Sequence, residues 1–276
     1  MPELPEVEII CQTIRPFLLG KKIKKITRSD KKLRHDIPQT TLTRKLTSKT
    51  VVAVERRAKY LLCYLDSSTL LIFHFGMTGN LGIFPLDSPI AKHDHLRIEL
   101  HNSTELRFND TRRFGSIHLL KPEETVDLEN TFFKTTGPEP FDASFNGEYL
   151  LNHAKKKTQP LKTFIMTNTT VAGIGNIYAN ESLFAARLNP LRKVSEISLG
   201  EWNTLVKEIR RVLQHAIACG GSTISDFVNA SQESGYFQMN FKIYGKDGEK
   251  CSICSSIIQK QVVGGRASFY CSTCQG

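Results

Sequence analysis

The chain opens on a helical period. Val7, Ile10, Cys11, Ile14, Phe17 and Leu18 fall at steps of three and four, which gives one apolar face. Pro5 suits the first turn, and Glu3, Glu6 and Glu8 suit its electropositive end. Gly20 is a natural stop. From about residue 22 to residue 120 the pattern changes to short β-rich runs, at 50–56, 59–65, 69–75, 81–84, 95–100, 106–109 and 116–120. Asp66-Ser67-Ser68, Asn102-Ser103 and Asn109-Asp110 supply turns between them, so an antiparallel sandwich or barrel is predicted. Gly137-Pro138-Glu139-Pro140 reads as a boundary. Beyond it the period is helical at 148–156, 161–166 and 176–187, and clearest over 199–218. There Ser198 and Glu201 form a capping box and Gly220-Gly221 ends the run. The polar stretch 222–240 reads as a long loop, of the functional or mobile kind. The expected organisation is α+β: an N-terminal helix and β-rich domain over 1–136, a helical part over 137–240, and a tail over 241–276.

Length and charge narrow the function. A chain of 276 residues suggests about two domains and can bury a core without disulfides. No run approaches the roughly 18 apolar residues that span a bilayer, and the N-terminus carries no secretory pattern. Neither a membrane partner nor secretion is expected. The 37 Lys and Arg against 27 Asp and Glu leave a net charge of +10, which asks for a polyanionic partner, nucleic acid first. Cys11, Cys63 and Cys219 stand isolated in apolar surroundings and read as small hydrophobes in a reduced cytoplasm.

The other four cysteines crowd the tail. Cys251-x-x-Cys254 and Cys271-x-x-Cys274, sixteen residues apart, are the layout of a four-thiolate zinc ribbon. Four ligands leave no open position, so the ion is structural: one Zn²⁺. Between the knuckles, residues 262–270 read as a hairpin with Arg266 at its turn, where a guanidinium can clamp phosphate.

Basic and aromatic residues recur along the chain. Arg56-Arg57-Ala58-Lys59-Tyr60 lies between two strands, Lys155-Lys156-Lys157 ends a helix, and Arg112-Arg113-Phe114 follows Asp110. Taken singly, each is an ordinary solvated cluster; together with a zinc hairpin they favour nucleic acid. Phe114 and Met77, which sits on a Gly-Met-Thr-Gly turn, suit a wedge that enters a base stack. Gly173-Ile174-Gly175-Asn176 precedes a helix whose first amides would attract phosphate, although it is no nucleotide fingerprint. His93 and His95 would point to opposite sides of a strand, so a shared metal is not expected. His93 is read as a phosphate contact and His95 as a satisfied, partly buried histidine.

Pro2 carries the sharpest chemical possibility. Once Met1 is removed, its secondary amine is partly unprotonated at neutral pH and can form an iminium with a carbonyl carbon. Glu3 and Glu6 are placed to exchange protons. The plain alternative is an ordinary helix start.

Met1-Pro2-Glu3-Leu4-Pro5-Glu6-Val7-Glu8, together with residues 56–62, 92–95, 112–115, 137–140, 173–181 and the cysteine tail, resembles the bacterial formamidopyrimidine-DNA glycosylase family from end to end. That resemblance implies a β-sandwich flanked by helices, a helix-two-turn-helix domain and a zinc hairpin, with DNA in the cleft between the halves. It implies a base-excision repair enzyme that removes oxidised purines such as 8-oxoguanine and then cleaves the strand. Pro2 is then the nucleophile at C1′ and Glu3 the acid that opens the deoxyribose. Lys59 contacts phosphate and donates a proton in β-elimination. Arg266 grips phosphate and serves δ-elimination. His93, Arg112, Lys156 and Asn176 match DNA contacts, and Met77, Arg112 and Phe114 match the trio that fills the gap left by the flipped base. Residues 222–240 match the loop that closes over the lesion. The expected partner is double-stranded DNA bearing oxidised bases, met by a monomer in the bacterial cytoplasm. Two alternatives stand beside this: an enzyme resembling endonuclease VIII, for oxidised pyrimidines, and a non-catalytic zinc DNA-binding protein.

Overall fold

The computed structural model describes residues 2–36, 39–222 and 241–276. Their order begins with α1 (Leu4–Leu18), β1 (Ile23–Arg28), α2 (Gln39–Leu46), β2 (Val51–Arg57), β3 (Tyr60–Leu65), β4 (Leu70–His74) and β5 (Gly79–Pro85). Next come β6 (Asp94–Leu100), β7 (Thr104–Asp110), β8 (Ser116–Leu120) and α3 (Pro122–Thr125). Then follow α4 (Gly147–Ala154), α5 (Leu161–Met166), α6 (Asn176–Ala185), α7 (Leu199–Ala218), β9 (Gln259–Val263) and β10 (Arg266–Tyr270). The described chain forms two compact units. One holds residues up to 134 and the segment 219–222; the other holds 135–218 and 241–276, hairpin tail included.

The first unit is a sandwich of two antiparallel four-stranded sheets, β1-β6-β7-β5 and β2-β3-β4-β8. Inward residues of both sheets share one core with the apolar face of α1: Val54, Leu61, Cys63 and Phe73 meet Leu81, Leu96, Ile98 and Phe108 in it. The continuous apolar run Leu70-Leu71-Ile72-Phe73 has a separate cause. Alternate residues Leu70 and Ile72 turn to the outer face, where Phe133 covers them together with Leu62. A strand buried on both faces loses its polar alternation.

Three elements escaped the sequence reading. In β1 only Ile23 and Ile26 are buried, because it is a charged edge strand. The helix α2 buries only Leu42 and Leu46 in a threonine-rich, weakly helical sequence. The third, α3, is a single turn with no buried residue.

The second unit packs α6 against α5, α7 and β10. Contacts on several sides bury eight of the ten residues of α6, which is why its sequence shows so little amphipathic period. The expected capping box heads α7: Ser198 N–H donates to Glu201 Oε2 at 2.8 Å, and Glu201 N–H to Ser198 Oγ at 3.3 Å. The helix expected over 148–156 stops at Ala154, since Lys156 turns left-handed at φ +62°. No helix among the described residues is long and apolar enough to cross a membrane.

Candidate functional site

In the first unit the site begins at the head of α1. Glu3 is the N-cap and forms a reciprocal capping box with Glu6, whose Oε2 accepts the Glu3 N–H at 2.9 Å. Both carboxylates are buried, and so is Pro2. The other Glu6 oxygen accepts the backbone N–H and the hydroxyl of Ser222, at 2.9 and 2.8 Å. Glu6 is therefore a structural brace here rather than a free proton carrier. Ser222 opens the stretch expected to be the lesion loop; the rest, 223–240, lies outside the described residues.

Lys59 sits on the two-residue turn that joins β2 to β3. His74, at the end of β4, was not singled out in the sequence. Its ring lies 4.8 Å from that of Tyr60, and its Nδ1 accepts the Gly76 N–H at 3.3 Å. Burial, followed by the charges of Lys59 and Arg34, lowers its pKa to about 4, so the imidazole is neutral at physiological pH. Nothing local in the sequence distinguishes it from the other histidines.

The expected wedge residues share one scaffold. Met77 is half-buried on the turn after Gly76, while Arg112 and Phe114 are exposed on the loop after β7, with the guanidinium 4.9 Å from the ring centre. The two loops are locked together. Gly76 has φ +59°, and a Cβ there would lie 2.4 Å from the Phe114 carbonyl carbon. Only glycine permits that approach. Asp110, fully buried, is the hub: Oδ1 accepts the Thr78 hydroxyl at 2.5 Å and Oδ2 the Gly115 N–H at 2.8 Å. Thr78 Oγ1 in turn accepts the Arg112 N–H at 3.0 Å. From the sequence, Asp110 read only as a turn residue.

His93 and His95 correct an expectation. They do not diverge: residues two apart in an extended chain face the same side, and the ring centres lie 6.2 Å apart. His95 is satisfied and buried, with Nδ1 on Ser29 Oγ at 2.9 Å and Nε2 on the Asp110 carbonyl at 3.0 Å. His93 is half-buried.

In the second unit Asn176 begins α6 after Gly175, and its buried side-chain oxygen has no partner among the described residues. Lys156 is exposed. Gly264 and Gly265, at φ +57° and +73°, make the tight turn between β9 and β10. Arg266 is exposed as the first residue of β10, one step past the turn where it was expected. Beneath it lies Lys162, a wholly buried lysine that nothing in the sequence marked. Its Nζ donates to the Ala267 carbonyl at 2.6 Å and to Ser268 Oγ at 2.8 Å. Glu181 on α6 accepts the N–H groups of Lys242, Ile243 and Tyr244, and burial raises its pKa.

The sulfurs of Cys251, Cys254, Cys271 and Cys274 all lie within 4.8 Å of one another. Two of the pairs, Cys254–Cys271 and Cys251–Cys274, stand at 3.4 and 3.9 Å. These are far beyond a disulfide bond and close to the ~3.8 Å edge of a tetrahedron with Zn–S bonds of about 2.3 Å. The donor set fits one structural zinc. Behind it Cys251 and Cys271 pack with Ile243, Ile258, Phe269 and Phe184 of α6, so the ion and a small apolar cluster jointly hold the hairpin.

The described residues thus combine a two-sheet unit headed by a buried Pro-Glu step with a helical unit that carries a four-cysteine hairpin. The comparisons agree segment by segment. Residues 1–117 match the formamidopyrimidine-DNA glycosylase N-terminal domain, 136–228 its H2TH domain, and 248–276 a zinc finger found in FPG and IleRS. Formamidopyrimidine-DNA glycosylases of Vibrio atlanticus and Hahella chejuensis are 45% and 42% identical to the chain over the whole of both proteins. Wild-type Lactococcus lactis Fpg in complex with DNA containing N7-benzyl-Fapy-dG superposes with a TM-score of 0.91 at 33% identity, covering 99% of each chain. The Lactococcus lactis Fpg complex with abasic-site DNA gives 0.90 at the same identity and coverage. The chain belongs to the formamidopyrimidine-DNA glycosylase family.

Proposed function

We propose that this chain is a base-excision DNA glycosylase and abasic-site lyase that removes oxidised purines and nicks the strand by β,δ-elimination. Family membership over its full length carries the reading, supported by the buried Pro2-Glu3 helix head. The reaction needs Met1 removed, which frees the Pro2 amine. That amine attacks C1′ as the N-glycosidic bond breaks, and the base leaves with a proton. Glu3 protonates the ring oxygen, the sugar opens, and an iminium joins Pro2 to C1′. Loss of a C2′ proton expels the 3′ phosphate; a second elimination expels the 5′ phosphate, and water releases Pro2. The C2′ proton passes to water, while Lys59 holds the departing 3′ phosphate and donates a proton to it; Arg266 grips phosphate and serves δ-elimination. His93, Arg112, Lys156 and Asn176 bind DNA, while Met77, Arg112 and Phe114 fill the gap left by the extruded nucleotide. Extrusion is required because C1′ is shielded in the stacked duplex. Cys251, Cys254, Cys271 and Cys274 hold the zinc, which shapes the Arg266 hairpin and takes no part in bond making. We place the enzyme, as a monomer, on the chromosome in the bacterial cytoplasm.

Borohydride trapping on a duplex with 8-oxoguanine opposite cytosine tests this reading. The expected adduct maps to Pro2, and a Pro2→Gly variant traps poorly. An adduct on another residue, or active protein that retains Met1, would overturn the mechanism. A Lactococcus lactis Fpg complex holds DNA with an oxidised pyrimidine. A thymine glycol duplex assayed in parallel therefore reports whether purines are preferred.

A further inference from the structure

We propose that Arg56 is a positioning residue for Lys59: it ties the Lys59 turn to helix α1 and holds that turn in the conformation that presents the lysine. This rests on the reading of Lys59 as the proton donor of β-elimination. The register of β2 with β3 closes at Arg57 and Tyr60, which leaves Ala58 and Lys59 alone in the turn. Ala58 has φ +54°. A Cβ disfavours that left-handed conformation, and tight hairpin turns normally place glycine, asparagine or aspartate there. The Ala58 side chain offers no hydrogen bond in compensation, so the surroundings must hold the turn.

Arg56 makes the contact that does so. Its Nη1 donates to the Ala58 carbonyl at 3.1 Å, and its Nε donates to Glu8 Oε2 at 2.8 Å. The arginine side chain is only 10% exposed and that of Glu8 21%, so both bonds lie largely out of solvent. One rigid fork thus joins the carbonyl next to Lys59 to the helix that begins beside Pro2. Lysine has no second donor at fixed geometry and cannot hold both ends. Arg57, on the strand side of the turn, instead forms a forked pair with Glu129, at 2.9 Å for each bond. A proton donor that must meet the ring-opened sugar attached to Pro2 depends on this kind of bracing, because misplacement by about an ångström costs rate steeply.

The test separates attack by Pro2 from elimination. On a preformed abasic-site duplex, Arg56→Met and Arg56→Lys are expected to slow β-elimination roughly tenfold, the scale set by the cost of a left-handed L-residue. Single-turnover borohydride trapping on the same duplex should stay within about twofold, since only the proton donor is displaced. Ala58→Gly in the Arg56→Met background should recover part of the elimination rate, because glycine enters the turn conformation unaided. Should Arg56→Met fail to fold, Glu8→Gln weakens the same fork while preserving an acceptor, and should show the same split more weakly. Wild-type elimination in the Arg56 variants, or equal loss of trapping and elimination, overturns the proposal. Lys59→Met serves as the control. If it eliminates normally, the role given to Lys59 is wrong and the Arg56 proposal falls with it. If it is slow while the Arg56 variants are normal, only the Arg56 proposal falls.

Discussion

Asparagine at position 110 would change one atom in the hub that joins the Met77 turn to the Arg112–Phe114 loop. The carboxylate is fully buried and uses one oxygen for the Thr78 hydroxyl and the other for the Gly115 N–H. Asparagine brings a single oxygen. If that oxygen faces Gly115, the new amide faces Thr78 Oγ1, which already accepts from Arg112, and the threonine hydrogen loses its acceptor. If the amide is flipped, two donors meet at Gly115. Either way one hydrogen bond to a charged group goes, worth about 1.5–3 kcal/mol, and a buried donor is stranded for about 1–3 kcal/mol more. Relief of carboxylate burial offsets part of this. The expected net loss is about 2–3 kcal/mol, or roughly 5–10 °C in the midpoint of the unit that contains it. Thermal denaturation of zinc-loaded protein followed by circular dichroism measures that shift. Binding to an abasic duplex should weaken about tenfold as Arg112 and Phe114 lose their fixed loop. Thr78→Val should couple to the change by at least about 1 kcal/mol in a double-mutant cycle. A variant with the wild-type midpoint, or strict additivity with Thr78→Val, would refute the hub.

Three further outcomes are expected. Stripping zinc with a chelator, or Cys271→Ser, should unfold the 241–276 tail and abolish specific DNA binding; metal analysis of the native protein should return one zinc per chain. The Arg192 guanidinium beside Glu201 holds that carboxyl at about 2, below its ordinary range. Its contribution is present above pH ~4.5 and fades as pH falls toward 2, so Glu201→Gln should lower the midpoint at pH 7 and match wild type near pH 2. Equal deficits at both pH values would contradict that linkage. Lys162→Met strands the Ala267 carbonyl and the Ser268 hydroxyl, at a cost of about 1–3 kcal/mol. Faster proteolysis of the hairpin at unchanged zinc content is the expected sign, and wild-type resistance would show that the buried ammonium contributes nothing.

By itself the sequence determined whatever is local or repeats with a short period. The α1 stripe, the capping box of α7 and the two Cys-x-x-Cys knuckles are legible because a helix turn, a cap and a metal knuckle each join residues two to four apart. The resemblance to a family then attached expected roles to Pro2, Glu3, Lys59 and Arg266, which composition alone would have left as a helix start and two surface charges. Tertiary structure decided what depends on distant partners. Asp110 is a hub only because Thr78, on the turn into the paired strand β5, arrives from 32 residues earlier in the chain. Lys162 is buried only because the hairpin, more than a hundred residues later, covers it. In each case the deciding energy is desolvation of a polar group, whose sign depends on a partner that neighbouring residues do not encode.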